Sequence, residues 1–172
     1  MRSRSNVTWF STKVRYQKTM EDGSEKVVTE NYLVDALSFT EAESAITDEM
    51  SVYVSGEFQV SGIAKAAYNE VFFSDVDDDD KWYKAKLQFI TIDEKSEKEK
   101  RSNVTYLVQA KSLARALRYI DEVMGGTMID YDIVSIAETQ IMDVFEHGAK
   151  TKKQNEVDDK PEYEQAETGK EA

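Results

Sequence analysis

The residues whose types could do chemistry are carboxylates, and they come at matching places. Glu70-Val71-Phe72 is answered by Asp143-Val144-Phe145. Two carboxylates brought together can share acid–base work or hold a metal. Nothing else in the chain completes such a site, so each reads first as a charge at a strand end. Asp75, Asp77 and Asp79 fall at the first, third and fifth ligand positions of a calcium loop, but its glycine and closing glutamate positions hold Asp80 and Lys86. The run therefore reads as a solvated linker. His147 is the one histidine, and there is no cysteine. Disulfides, zinc–thiolate sites and thiol catalysis are excluded, and histidine-based metal or nucleophile sites are poor expectations. Neither a glycine-rich phosphate loop nor a nucleophile elbow occurs. The expectation is no catalytic residue, no metal and no cofactor.

Binding chemistry is better represented. Trp9 and Trp82 open matching segments: Trp9-Phe10-x-x-Lys13-Val14-x-Tyr16 and Trp82-Tyr83-x-x-Lys86-Leu87-x-Phe89. Lys13 and Lys86 lie at equivalent places, with Arg15 and Lys84 near them. Two indoles beside a basic strip resemble a surface for single-stranded nucleic acid, with bases stacked on Trp9 and Trp82. The plainer reading is that each Trp packs at a strand start. The net charge of -12 opposes the nucleic-acid reading, since phosphate binding relies on Lys and Arg. It also disfavours an anionic membrane. Residues 1–150 alone hold 18 Lys and Arg against 27 Asp and Glu, so the body is acidic as well as the end.

The elements that must position these residues follow from periodicity. Residues 1–8 are polar and read as a flexible N-terminus. Phe10, Thr12, Val14 and Tyr16 alternate with Ser11, Lys13 and Arg15, which predicts a half-buried strand. A turn at Glu21-Asp22-Gly23-Ser24 leads into a returning strand over 26–36. Ser38-Phe39-Thr40-Glu41 has the form of a capping box, and Phe39, Ala42, Ile46 and Met50 follow at helical spacing. Strands are expected at 58–64 and within 68–73. Residues 74–81 form an acidic linker. The order then recurs: strand, charged loop at 93–101, returning strand at 104–110, Ser112, a helix ending at Gly125-Gly126, and strands at 131–137 and 143–145. Tyr32-Leu33-Val34 is answered by Tyr106-Leu107-Val108.

The expected fold is α+β: two tandem ββαβ(β) repeats, 9–73 and 82–147, with antiparallel sheet, one helix each and a pseudo-two-fold relation. A single repeat would bury too small a core alone, so the two are expected to pack as one domain. Independent units joined by the acidic linker are the alternative. Residues 148–172 hold the only proline and few apolar residues, and are expected to be a disordered acidic tail. No stretch approaches the roughly 20 apolar residues of a membrane helix, and no leader pattern opens the chain, so the expected location is cytoplasmic.

Several segments together carry a family resemblance: the Trp9 motif, Tyr32-Leu33-Val34-Asp35-Ala36-Leu37-Ser38-Phe39-Thr40-Glu41-Ala42-Glu43, Ser55-Gly56-Glu57-Phe58, Phe89-Ile90-Thr91-Ile92-Asp93-Glu94-Lys95 and Ile141-Met142-Asp143-Val144-Phe145. Over residues 9–146 the chain resembles the bacterial domain-of-unknown-function family numbered forty-four ninety-four, found in Bacteroides-type bacteria, their phages and mobile elements. The resemblance implies a shared fold and source. It implies no activity and no site residues. The leading expectation is a small binding or interaction protein without enzymatic activity, acting on a protein partner or as a homodimer. The alternative is a phage-type accessory factor that binds single-stranded nucleic acid through Trp9, Lys13, Arg15, Trp82, Lys84 and Lys86. An enzyme using Glu70 and Asp143 comes third.

Overall fold

The computed structural model describes residues 1–148. The elements are β1 (Arg2–Ser5), β2 (Trp9–Thr19), β3 (Glu25–Asp35), α1 (Phe39–Tyr53), β4 (Phe58–Ala66), β5 (Glu70–Phe73), β6 (Lys81–Ile92), β7 (Glu99–Ala110), α2 (Leu113–Gly125), β8 (Asp130–Glu138) and β9 (Ile141–Phe145). Gly23 takes φ 83 to close the β2–β3 turn, where the Asp22 carboxylate accepts from the Ser24 N–H. Ser38 caps α1 by accepting from the Glu41 N–H at 3.1 Å, while the Glu41 carboxylate accepts from the Leu37 N–H. Ser112 caps α2 in the same way through the Arg115 N–H at 3.2 Å.

The fold is α+β, with two helices and two sheets. One sheet has four strands in the order β4-β2-β3-β9, the other five in the order β1-β5-β7-β6-β8. Each sheet is antiparallel except at one parallel pair: β3 with β9 and β5 with β7. The wholly antiparallel sheet expected from the sequence gives way at these two places. The reason is that β5 leaves β2, β3 and β4 and joins the sheet of β6 and β7, while β9 goes back to the sheet of β2 and β3. The registers agree position for position: Tyr32 faces Asp143 and Tyr106 faces Glu70. β4 and β8 each carry one extra residue against their partners, Ser61 and Val134. This pairing is compatible with the repeat read in the sequence.

Alternation along the strands creates a layered core. Phe10, Val14, Tyr32, Val34 and Phe145 face α1, where Ala42, Ala45, Ile46 and Met50 meet them. Ala85, Leu87, Tyr106 and Val108 face Ile120 and Met124 of α2. The opposite faces of the two sheets share a central cluster of Trp9, Leu33, Val71, Phe73, Trp82, Leu107 and Val144. That cluster draws on residues from both expected repeats.

Two expectations for the polar segments need correction. Residues 2–5 of the expected flexible N-terminus form β1, which pairs with β5. Arg4 makes an ion pair with the buried Asp35, and Arg2 and Arg4 reach Glu146 at 2.6 and 3.5 Å. Alternation of Arg and Ser carries no apolar signal, so the strand is held by pairing and charge from distant parts of the chain. The acidic linker is not uniformly solvated either. Asp75, Asp77, Asp78 and Asp80 are exposed, but Asp79 is buried. Its carboxylate accepts from the Ser74 and Tyr119 hydroxyls and the Lys111 N–H, with Arg115 3.4 Å away. Burial pushes the Asp79 carboxyl up, but these donors and the Arg115 charge outweigh it and hold it below the ordinary carboxylate range. The expected tail at 148–172 lies outside the described residues, apart from Gly148.

Candidate binding cleft at the β8–β9 crossover

Between β8 and β9 the chain crosses from the five-stranded sheet to the four-stranded one. Thr139 fixes the crossing: its N–H and its hydroxyl both donate to the Trp82 carbonyl at 2.8 Å. The Ile141 N–H then donates to the Thr139 hydroxyl at 3.3 Å. Under this crossover lies a cleft of about 550 Å³. Its walls include Thr29 and Asn31 of β3, Trp82 of β6, and Thr139, Ile141 and Met142. Asp80 and the Lys81–Glu138 pair, 3.9 Å apart, stand at the same opening.

Asn31 is the polar group of note. Its Oδ1 is buried and makes no hydrogen bond. A buried acceptor left unpaired costs about 1–3 kcal/mol, so it invites a donor. The Trp9 Nε1 is the other buried side-chain atom without a partner among the described residues. Met142 contributes an apolar, adaptable side chain that is 53% exposed.

The residues expected to bind nucleic acid are separated by burial. Trp9 is 1% exposed and Trp82 2%, both packed in the central cluster. Phe73 meets the Trp82 ring edge-on at 5.5 Å between centroids. Neither indole presents an open ring face at the surface. Lys13, Arg15, Lys84 and Lys86 are exposed, on the same strand faces as the indoles but beyond the central cluster.

The paired carboxylates do not form one site. Glu70 faces Tyr106 in the five-stranded sheet, and Asp143 faces Tyr32 in the four-stranded sheet. Each shares a strand face with a residue that packs toward a helix, Phe72 for Glu70 and Phe145 for Asp143, on opposite sides of the central cluster. Burial raises the Asp143 carboxyl and the Glu49 charge adds to the rise, against a hydrogen bond from the Val144 N–H. Glu30 also lines the cleft, and its carboxylate accepts from the Tyr16 and Tyr32 hydroxyls. Burial, then the Glu30 bond and charge, push the Tyr16 hydroxyl up to about 12, and Tyr32 is raised likewise. Both phenols stay protonated at neutral pH and act as hydrogen-bond donors. His147 Nε2 lies 3.9 Å from Glu41. Among the described residues no three His, Cys, Asp or Glu side chains converge as metal ligands, and no helix is long and apolar enough to cross a membrane.

One family model matches the chain, over residues 8–147, and its description is Domain of unknown function (DUF4494). The chain belongs to this family. The matched span runs from just before β2 to just past β9, so the family unit contains both sheets, both helices and the cleft, while β1 precedes it. Comparison with the curated proteins and with the solved structures gives no match.

Sequence reasoning did not assemble the cleft, because its walls come from three separate segments, at 29–31, 80–82 and 138–142. One signal was present: Met142 stands where the first half has Asn69, each directly before the carboxylate that faces a tyrosine.

Proposed function

We propose that this DUF4494 chain is a small binding protein that holds a partner at the β8–β9 cleft and does not transform it. The observation that carries the reading is the Asn31 Oδ1, buried without a donor in a wall of that cleft. Pockets that recognise ligands combine apolar walls with a few polar groups that fix orientation. Ile141 and Met142 supply the first, Asn31 and Thr29 the second. A cytoplasmic setting, a bacterial or mobile-element source and a duplicated ancestry belong to the same proposal. They rest on the cysteine-free sequence, on the resemblance and on the matching registers.

The test is an amide and indole NMR titration of the full chain with a library of small polar fragments and peptides. The chain has two indole N–H signals, and only Trp82 lines the cleft. Binding there moves Trp82, Asn31 and Thr139 and leaves Trp9 still. If every hit maps elsewhere, or nothing binds, the reading fails.

A second reading, single-stranded nucleic acid, keeps its electrostatic half in the exposed Lys13, Arg15, Lys84 and Lys86. It would show as a gel shift that weakens steeply with salt.

A further inference from the structure

The two crossovers between the sheets are built alike but finished differently. At the first, the chain passes from β4 to β5. The Asn69 N–H donates to the Thr105 carbonyl at 2.8 Å, and the Thr105 N–H donates to the Asn69 side-chain oxygen at 2.8 Å. Asn69 therefore plugs the edge of β7 at the point where β5 begins to pair, at Tyr106. Tyr68, just before it, packs against the central cluster.

At the second crossover these two places hold Ile141 and Met142. Ile141 also packs against the central cluster. Met142 cannot act as Asn69 does, because the Asn69 side chain accepts the Thr105 N–H and a thioether is a weak acceptor. The pairing changes with it. Ile141 faces Asn31 and Asp143 faces Tyr32, so Met142 is the extra residue of a bulge. Beyond Asn31, β3 continues back to Glu25 with β2 on one side and no strand on the other among the described residues. Along that stretch Val27, on the same face as Thr29 and Asn31, is 59% exposed. An open strand edge beside a cleft that mixes apolar and polar walls is an arrangement that takes up extended peptides.

We infer that the occupant of the cleft is an extended polypeptide segment of a partner, which rests on the binding reading above. It pairs through its main chain with the open edge of β3 over residues 25–30. It seats an aromatic side chain against Ile141 and Met142, and a neighbouring amide or hydroxyl side chain donates to Asn31. The chemistry of the occupant is read from the chain itself, which places Tyr68 and Asn69 at the equivalent crossover. Asp80 and Glu138 at the opening oppose a phosphate backbone, and the nearby Lys81 is paired with Glu138. Strand addition supplies affinity and the aromatic seat supplies selectivity.

The test selects random linear peptides by phage display on the full chain. The selected peptides are then measured against I141Y/M142N, which moves the plug of the first crossover into the second. The expected result is a shared aromatic residue followed by Asn, Gln, Ser or Thr. Affinity falls about tenfold or more on the variant, and amide shifts centre on residues 25–31 and 139–142. If I141Y/M142N does not fold, methylating alternate backbone amides of the selected peptide replaces it, and binding must then be lost in one of the two methylation phases. Peptides that bind I141Y/M142N as tightly as the parent chain overturn the inference. So do peptides indifferent to methylation in both phases. If small polar fragments occupy the cleft and peptides do not, the peptide inference falls while the binding reading stands. If neither occupies it, both fall.

Discussion

Arg4 and Asp35 form an ion pair that ties the first strand of the five-stranded sheet to the last residue of β3 in the four-stranded one. The Asp35 side chain is 3% exposed and the Arg4 side chain 14%. Asp35 also accepts from the Gly148 N–H at 3.1 Å. A Cβ at Gly148 would lie 2.7 Å from the Asp35 Oδ2, so this close approach requires glycine.

Removing Arg4 leaves Asp35 buried without its counter-charge. Arg4→Ala is expected to cost about 3–5 kcal/mol in urea unfolding. In a cycle with Asp35→Ala, the double variant loses much less than the sum of the single ones. Deleting residues 1–5 has the effect of Arg4→Ala or more. A truncated chain with an unchanged unfolding midpoint would return the N-terminus to the status of a loose end.

Asp79 separates one carboxylate from its neighbours. Asp79→Ala is expected to cost about 3 kcal/mol, because it strands the Lys111 N–H and the Tyr119 hydroxyl. Alanine at Asp75, Asp77 or Asp78 stays within about 0.5 kcal/mol. The Asp79 carboxyl is depressed in the folded state, so its contribution is complete above the unfolded value. It is lost as pH falls through the folded value. The acid limb of the stability curve should therefore be shallower in Asp79→Ala than in the parent, as followed by circular dichroism.

Buried indoles predict a quiet optical signal. The tryptophan emission of the native chain should lie to the blue, resist iodide quenching, and stay unchanged on adding single-stranded DNA or RNA at low salt. Trp9→Ala and Trp82→Ala should each lose about 3–5 kcal/mol of stability, as large core truncations do. An indole quenched by nucleic acid without unfolding would support the stacking surface.

Asp143 has the opposite sign to Asp79. Its carboxyl is raised in the folded state, so the native chain binds that proton more tightly than the unfolded one. The stability it lends is present when it is protonated and is lost as pH rises through the folded value. Asp143→Asn should raise the melting temperature by a few degrees at pH 7–8. The gap should close under acid conditions, as read by scanning calorimetry.

Local pattern made much of this fold legible. The alternation from Phe10 to Tyr16 marks β2, and Ser38 and Ser112 mark where the helices begin, because strands and caps are written in neighbouring residues. Matching Trp9 with Trp82 also aligned Tyr32 with Tyr106. What stayed hidden depends on partners far along the chain. Val71-Phe72-Phe73 is apolar in any sheet, and nothing local says that it leaves β3 for β7. Arg2 to Ser5 look unstructured until Asp35 and Glu146 are in place. Five aspartates in seven residues look alike until Tyr119 and Lys111 come to one of them. The indoles were visible as a pair, but their burial follows from the meeting of two sheets, which periodicity within one strand cannot report.

The crossing of β5 and β9 into each other's sheets ties the two halves together like links of a chain. The four-stranded sheet lacks a member until residues near 145 leave the ribosome, so the earlier 140 residues must wait before closing it. A protease cutting between Asp75 and Asp78 would sever the backbone without freeing either piece. Each fragment would still have a strand clasped in the other's sheet, and the nicked molecule should migrate as a single particle until denaturant pulls the clasps open.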